Sequence, residues 1–482
     1  MRSARASYLA GISAVAASTV ASAAAGFASL WFLTQVLSKD LFGAYTFSMS
    51  VVMLLAIVGT MGLDRVLLLR VAALPTEAGV LRGSALARRV LAFGGAAALT
   101  LAVLLWLFAD RVVAAGAPPE AHFWLRALAA AIVPVTLAWL AQAWFQANHR
   151  VSEATVLPGL VDLARAVLIG TVFMAGGGAA GVAAAVIAAA CLPVAVLAWK
   201  SRIARRESEP HRIAGEDFRL GVYFVLQNLS NQGLRYFDLV LVGLVTTAVI
   251  TADYAVAARL AVLCDMGRLA LKPTFTPRAR RYLGSGASEG LAREYHLLRL
   301  GGLVFALAGS AGFVLFGEWL LSIFGPYASC YQPMLVLCAA YVVGAGAGMH
   351  SSYLAMSGEV RTSATIRLLS LALFVAALVV LAPRHGALGA AFAMLAAQVM
   401  ANGVSLAMLR RRTGFVGVPV SAAVVAGLSV LALCSGGLGM VAGAWLAVIL
   451  IGLASVAAAV EHQTRRVDLL CRRKGPGPSD RG

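Results

Sequence analysis

Charge is scarce in this chain. Asp, Glu, Lys and Arg make up only 12% of its 482 residues, while 61% are hydrophobic. That is about half the charged share of a soluble globular protein. So few polar residues cannot coat a water-facing surface, which excludes an ordinary soluble domain and sets lipid against most of the exterior. Acids are scarcer still, 21 against 39 basic residues, for a net charge of +18. The basic residues form neither a long arm nor a surface interleaved with aromatics, so nucleic acid does not explain the excess. The six cysteines, Cys191, Cys264, Cys330, Cys338, Cys434 and Cys471, show no CxxC or metal-type spacing and read as small packing residues. The seven histidines form no HExxH-like pattern. No metal or cofactor is suggested.

Long apolar runs are abundant. A membrane span needs about 20 mainly apolar residues. Fourteen runs qualify: 8–36, 41–63, 90–109, 122–147, 154–175, 179–199, 219–245, 252–272, 299–324, 332–357, 363–382, 387–409, 417–435 and 440–460. The expected fold class is therefore all-α, a polytopic membrane protein. Ala21-Ser22-Ala23 resembles a signal-peptide cleavage site. The run from Tyr8 to Val36 is too long for a signal core, however, and reads as a retained first span.

Basic residues orient the spans. With the N-terminus cytoplasmic, 31 Lys and Arg fall in inner segments, four in outer segments (Lys39, Arg111, Arg126, Arg384) and four within spans. This asymmetry is the positive-inside pattern and supports both the count and the orientation, with both termini inside. The outer segments at 38–40, 176–178, 246–251 and 384–385 are too short to fold into a domain. That argues against a membrane glycosyltransferase or polymerase with a large catalytic loop.

An internal repeat runs through the first twelve spans at an offset near 209. Phe42-Gly-Ala-Tyr45 matches Thr251-Ala-Asp-Tyr254, and Asn148-His-Arg-Val-Ser152 matches Ser357-Gly-Glu-Val-Arg361. The clearest pair is Gly178-Ala-Ala-Gly-Val-Ala-Ala-Ala185 with Gly386-Ala-Leu-Gly-Ala-Ala-Phe-Ala393. Six spans per copy make both copies enter from the same side, a parallel repeat. The expected organisation is a six-helix lobe at 1–206, a second at 207–412, two further spans at 413–464 and a basic cytoplasmic tail at 465–482.

Ionisable groups inside spans are costly, about 2.5–3.5 kcal/mol each on insertion scales, and usually face a cavity or a partner. Span 7 carries Asn228, Asn231, Arg235 and Asp238 at spacings of three to four, one stripe along a helix. The stripe reads as cavity lining; its alternative is polar glue between helices. The repeat maps it onto Thr19, Ser22, Gly26 and Ser29 of span 1, small and uncharged. Span 8 carries Arg259, Asp265 and Arg268. Counting from the turn near residue 248, Arg235, Asp238 and Arg259 share a depth of roughly 15 Å from the outer surface. Asp238 is positioned to pair with Arg259 and leave Arg235 free, and Asp265 with Arg268, a turn apart. In span 5, Asp162 and Arg165 at i and i+3 read as an ion pair. Arg65 and Arg70 read mainly as lipid anchors, His350 as a packing residue, and Trp124, Trp144, Trp319 and Tyr327 as an interfacial belt.

Three stretches carry a family resemblance: Leu37-Ser-Lys-Asp-Leu-Phe-Gly-Ala-Tyr45, Met61-Gly-Leu-Asp-Arg65, and the Gly-Ala-x-Gly openings of spans 6 and 12. The chain resembles, over residues 8–410, the polysaccharide flippase (Wzx-type) branch of the multidrug/oligosaccharidyl-lipid/polysaccharide (MOP) exporter superfamily. The resemblance implies two lobes around a cavity lined by spans 1, 2, 7 and 8. It also implies alternating access that carries undecaprenyl-diphosphate-linked oligosaccharide across a bacterial inner membrane without catalysis, membrane lipids and polysaccharide-assembly proteins being its partners. On that reading Arg235 and Arg259 hold the diphosphate or an acidic sugar, since Arg binds phosphate oxygens in a fork. Their alternative is a set of neutralised structural pairs. Rival functions are a multidrug or small-cation antiporter of the same superfamily and a peptidoglycan-precursor flippase. The latter branch carries a charged first helix, whereas no charge lies between Tyr8 and Val36 here.

Overall fold

The fold was obtained as a computed structural model that describes residues 21–72, 84–148, 150–203, 215–229, 234–269, 282, 288–348, 353 and 360–413. No strand occurs among them. The helices are α1 (Ala21–Val36), α2 (Lys39–Gly59), α3 (Leu63–Ala72), α4 (Ser84–Ala114), α5 (Ala121–Ala129), α6 (Ile132–Ala147), α7 (Val151–Met174), α8 (Ala179–Ile203), α9 (Gly215–Asn228), α10 (Leu234–Val245), α11 (Ala248–Ala261), α12 (Ser288–Ile323), α13 (Tyr331–Ala347) and α14 (Val360–Thr413). Seven of the described helices are long and apolar enough to cross a membrane, or eight with the bent pair α5–α6 as one span. Expected spans 13 and 14 and the basic tail lie outside the described residues.

Several single runs of the sequence are interrupted helices. Span 4 bends by 50° between α5 and α6. Span 8 tightens to a 3-10 turn at Val262–Asp265, while span 7 is described as α9 and α10 on either side of residues 230–233. Conversely, α14 joins spans 11 and 12 across Gly386, whose φ of 57° and ψ of −135° are non-helical and available mainly to glycine. The repeated Gly-Ala motifs thus both open a helix, at Ala179 and after Gly386.

The chain forms two compact units, Met1–Ala255 with Ile323–Pro326, and Val256–Ser322 with Tyr327–Gly482. In the first, α2 is the central helix, packed against α4, α5, α6 and α10. Two-thirds of its most apolar window is buried, against 28% for α4. The outer face of α4 leaves Leu99, Val103, Trp106 and Leu107 about half exposed, as lipid-facing side chains should be. Leu63, Leu67, Val90, Leu140 and Trp144 join α3, α4 and α6 in one apolar cluster. Trp124 is fully buried and stacks edge-on against Tyr45, their centroids 5.2 Å apart. Trp124, Trp144 and Tyr327 are therefore core residues; the expected interfacial belt is corrected for all three, because helix packing covers their rings. Trp319 remains 65% exposed.

Two close approaches fix α2 and the turn after it against α11 and α9. A Cβ on Gly43 would sit 1.8 Å from the Ala248 carbonyl oxygen, and one on Gly221 2.4 Å from that of Met61. In the second unit α13 packs along α14. There Cys264 Sγ lies 3.6 Å from Cys338 Sγ and 3.7 Å from Ser310 Oγ, all three buried. These cysteines are packing residues, as expected.

Candidate functional site

The break between α2 and α3 builds the site. Met61 and Gly62 both take positive φ, 50° and 68°. For Met that conformation is uncommon and costs of order 1–3 kcal/mol. Thr60 holds the turn: its Oγ1 donates to the Ile57 carbonyl at 2.8 Å and accepts the Gly62 N–H at 3.3 Å. The helix restarts at Leu63, with Asp64 in its first turn, where the helix dipole favours an anion. The redirected chain sets Asp64 and Arg65 on the wall of a cavity of about 300 Å³.

Trp139, Gln142 and Gln146 of α6, Asn228 of α9, and the apolar Ile57 and Leu68 share the lining. All of these belong to the first unit. Asn228 is buried and donates from Nδ2 to Asp64 Oδ2 at 3.2 Å. Arg65 Nε lies 3.6 Å from the same oxygen, and the Arg65 side chain is 46% exposed. Its terminal nitrogens make no hydrogen bond to a described residue. Gln142 donates from Nε2 to the Ala154 carbonyl at 3.0 Å. Asp64 Oδ1 is buried without a hydrogen-bond partner among the described residues, a state that costs about 1–3 kcal/mol.

Ion pairs brace the surroundings. Arg70 Nε and Nη2 both reach Asp217 Oδ1, at 3.0 and 2.8 Å, tying α3 to the first turn of α9. Arg70 is thus half of a buried-carboxylate pair, which corrects its reading as a lipid anchor. Arg65 borders the cavity.

The expected site residues separate. Asn228 enters the cavity. Asp238 is buried and accepts from the Leu239 N–H at 2.7 Å and the Tyr254 hydroxyl at 3.3 Å. Arg259 is exposed, and Arg235 falls in the first turn of α10. Asn231 and His350 lie outside the described residues. Asp265 and Arg268 form a two-point pair at 2.6 and 2.7 Å in the second unit, as their spacing predicts. Asp162 and Arg165 also pair, at 2.9 Å, and Asp162 accepts from the Ser22 hydroxyl. Sequence reasoning passed over Asp64, Trp139, Gln142 and Gln146 as site residues. One signal was present: two glutamines at i and i+4 inside an otherwise apolar span place two amides on one helix face. Span 4 thus lines this cavity together with spans 2 and 7.

The cavity gathers one guanidinium, one carboxylate and three carboxamides beside the Trp139 ring. The family model for polysaccharide biosynthesis proteins matches residues 8–270. No curated protein matches the sequence. Among solved structures, an inward-facing multidrug resistance MATE family transporter of the MOP superfamily superposes with a TM-score of 0.69 at 17% identity, over 81% of this chain and 94% of that one. The lipid II flippase MurJ, in an inward closed conformation, gives 0.69 at 11% identity over 94% and 99%. A MOP superfamily transporter from Pyrococcus furiosus gives 0.61 at 16% identity over 84% and 95%. At these identities the likeness is one of fold.

Proposed function

Because the chain belongs to the polysaccharide biosynthesis protein family and has the MOP transporter fold, we propose that it is a flippase for undecaprenyl-diphosphate-linked oligosaccharide. It would move an O-antigen or exopolysaccharide repeat unit across a bacterial inner membrane by alternating access, without catalysis. The carrying observation is the cavity at the α2–α3 break, where the half-exposed guanidinium of Arg65, 3.6 Å from Asp64, lies on a lining that also carries three carboxamides. A diphosphate suits the former and sugar hydroxyls the latter. The positive-inside pattern puts this end of α2 at the cytoplasmic face, the side where a lipid-linked precursor would load.

In this reading the repeat supplies two lobes, 1–206 and 207–412, with 413–464 as an appended pair of spans and 465–482 as a basic tail. Arg235, Arg259 and Asn231 belong to the same translocation path, as further contacts for the headgroup. Membrane lipids surround the chain, and polysaccharide-assembly proteins supply and remove the substrate. A multidrug antiporter needs a carboxylate open to a cation; Asp64 has Arg65 beside it and Asn228 upon it, which disfavours that use.

Cells lacking the chain decide between the two. The flippase reading expects lipid-linked oligosaccharide to accumulate, surface polysaccharide to fall and drug tolerance to stay unchanged. Normal polysaccharide with lost drug tolerance would overturn it.

A further inference from the structure

We infer that Lys39, Asp253 and the chain at Ile323–Pro326 form a releasable latch, which holds the outer ends of the two proposed lobes together and opens once in each transport cycle. This rests on the two-lobe flippase reading and adds to it the contact that has to break. All of these residues belong to the first unit.

The latch sets donors of one stretch on acceptors of another. Trp31 and Gln35 stand four residues apart, on one face of α1. Both direct side-chain N–H groups at the Ile323 carbonyl, at 3.0 and 3.5 Å. Lys39, four residues further on, donates to the Pro326 carbonyl at 3.3 Å and lies 2.6 Å from Asp253 Oδ1. Ile323 ends α12. The last carbonyls of a helix lack partners within it and carry the negative end of its dipole. That end favours an indole N–H, an amide and above all an ammonium. In the lobe division read from the sequence, every one of these donors lies in 1–206 and every acceptor in 207–412.

The contact is built to part. Beside it the packing is smooth: Gly43 lies bare against the Ala248 carbonyl, and Gly243 against the Phe47 ring. Glycine lets helices approach closely and leaves no side chain to disengage. Lys39 and Asp253 keep 20% and 12% exposure, so water reaches both as they separate. A fully buried pair would instead leave two unsolvated charges. The latch stands in the segments that the positive-inside pattern places outside. The 21 residues of α2, about 30 Å, separate it from the turn that carries the cavity. While closed, it shuts the outer face away from a ligand loaded at Arg65.

The test uses the full chain, its native cysteines changed to Ala, in lipid nanodiscs. Spin labels go on cysteines at Ser38 and Thr247, both exposed, and pulsed electron resonance reads their separation. Lys39→Gln and Asp253→Asn should each raise the population of a longer separation about fivefold, which is about 1 kcal/mol. Arg70→Gln, which breaks the ion pair between α3 and α9, is the control for general loosening and should leave the separation unchanged. In proteoliposomes, Lys39→Cys joined to Asp253→Cys by a bismaleimide should stop flipping of fluorescent undecaprenyl-diphosphate-linked oligosaccharide, compared with the same protein before joining. A separation indifferent to both neutralisations, an equal response to Arg70→Gln, or undiminished flipping by the joined chain overturns the latch and leaves the flippase reading standing. No flipping by the unaltered chain overturns that reading, and the latch with it.

Discussion

Lys39 Nζ lies 2.6 Å from Asp253 Oδ1, joining the first residue of α2 to α11. The same ammonium donates to the Pro326 carbonyl at 3.3 Å. Beside it, Trp31 Nε1 donates to the Ile323 carbonyl at 3.0 Å and Phe27 meets Phe324 edge-on. Both charged side chains are mostly buried, at 20% and 12% exposure, so the pair is screened less than a surface bridge. Each single change, Lys39→Met or Asp253→Asn, should lower stability by about 1–2 kcal/mol. The double change should cost less than the two together, with a coupling of at least about 0.5 kcal/mol in a thermal-unfolding cycle. Strict additivity would show that the contact contributes nothing.

Gly221 and Gly62 permit backbone contact that no side chain allows. A Cβ at Gly221 meets the Met61 carbonyl oxygen, which is fixed by the α2–α3 turn. Gly221→Ala is therefore expected to destabilise by about 1–3 kcal/mol through overpacking. Gly26→Ala is the control: nothing lies within 4 Å of a Cβ there, and within a helix Ala gains up to about 1 kcal/mol over Gly. Unfolding temperatures in one detergent should move in opposite directions.

Arg70 directs two N–H groups at one oxygen of a nearly buried Asp217. Lysine carries a point charge and cannot reproduce that fork. Arg70→Lys should retain part of the stability and Arg70→Gln less. Asp217→Leu, which removes the buried charge together with its need for a partner, should be milder than Arg70→Gln. The order of unfolding temperatures checks this; Arg70→Gln at the top of the series would refute it.

Much of the fold was legible because membrane spans announce themselves locally. Length and apolarity located the helices, and Asp162–Arg165 and Asp265–Arg268 were readable because their partners stand one turn apart. The site was less legible. Asn228 was visible as a polar residue in an apolar run, but its partner Asp64 stands 164 residues away. Asp64 and Arg65 read as the start of a loop because nothing local reveals that α3 restarts at Leu63 and turns them inward. Trp124 and Trp144 read as interfacial for the same reason: composition places an aromatic near a span end, and only packing against other helices shows that it is buried.

The most direct test is transport by the reconstituted chain. Proteoliposomes carrying fluorescent undecaprenyl-diphosphate-linked oligosaccharide should flip it far faster than protein-free vesicles. Arg65→Gln should slow the rate about tenfold or more, the loss of a hydrogen bond to a charged group, and Arg65→Lys should slow it less. Flipping no faster than in protein-free vesicles, or an Arg65→Gln rate equal to that of the unaltered chain, would contradict the assignment of this cavity to the transported headgroup.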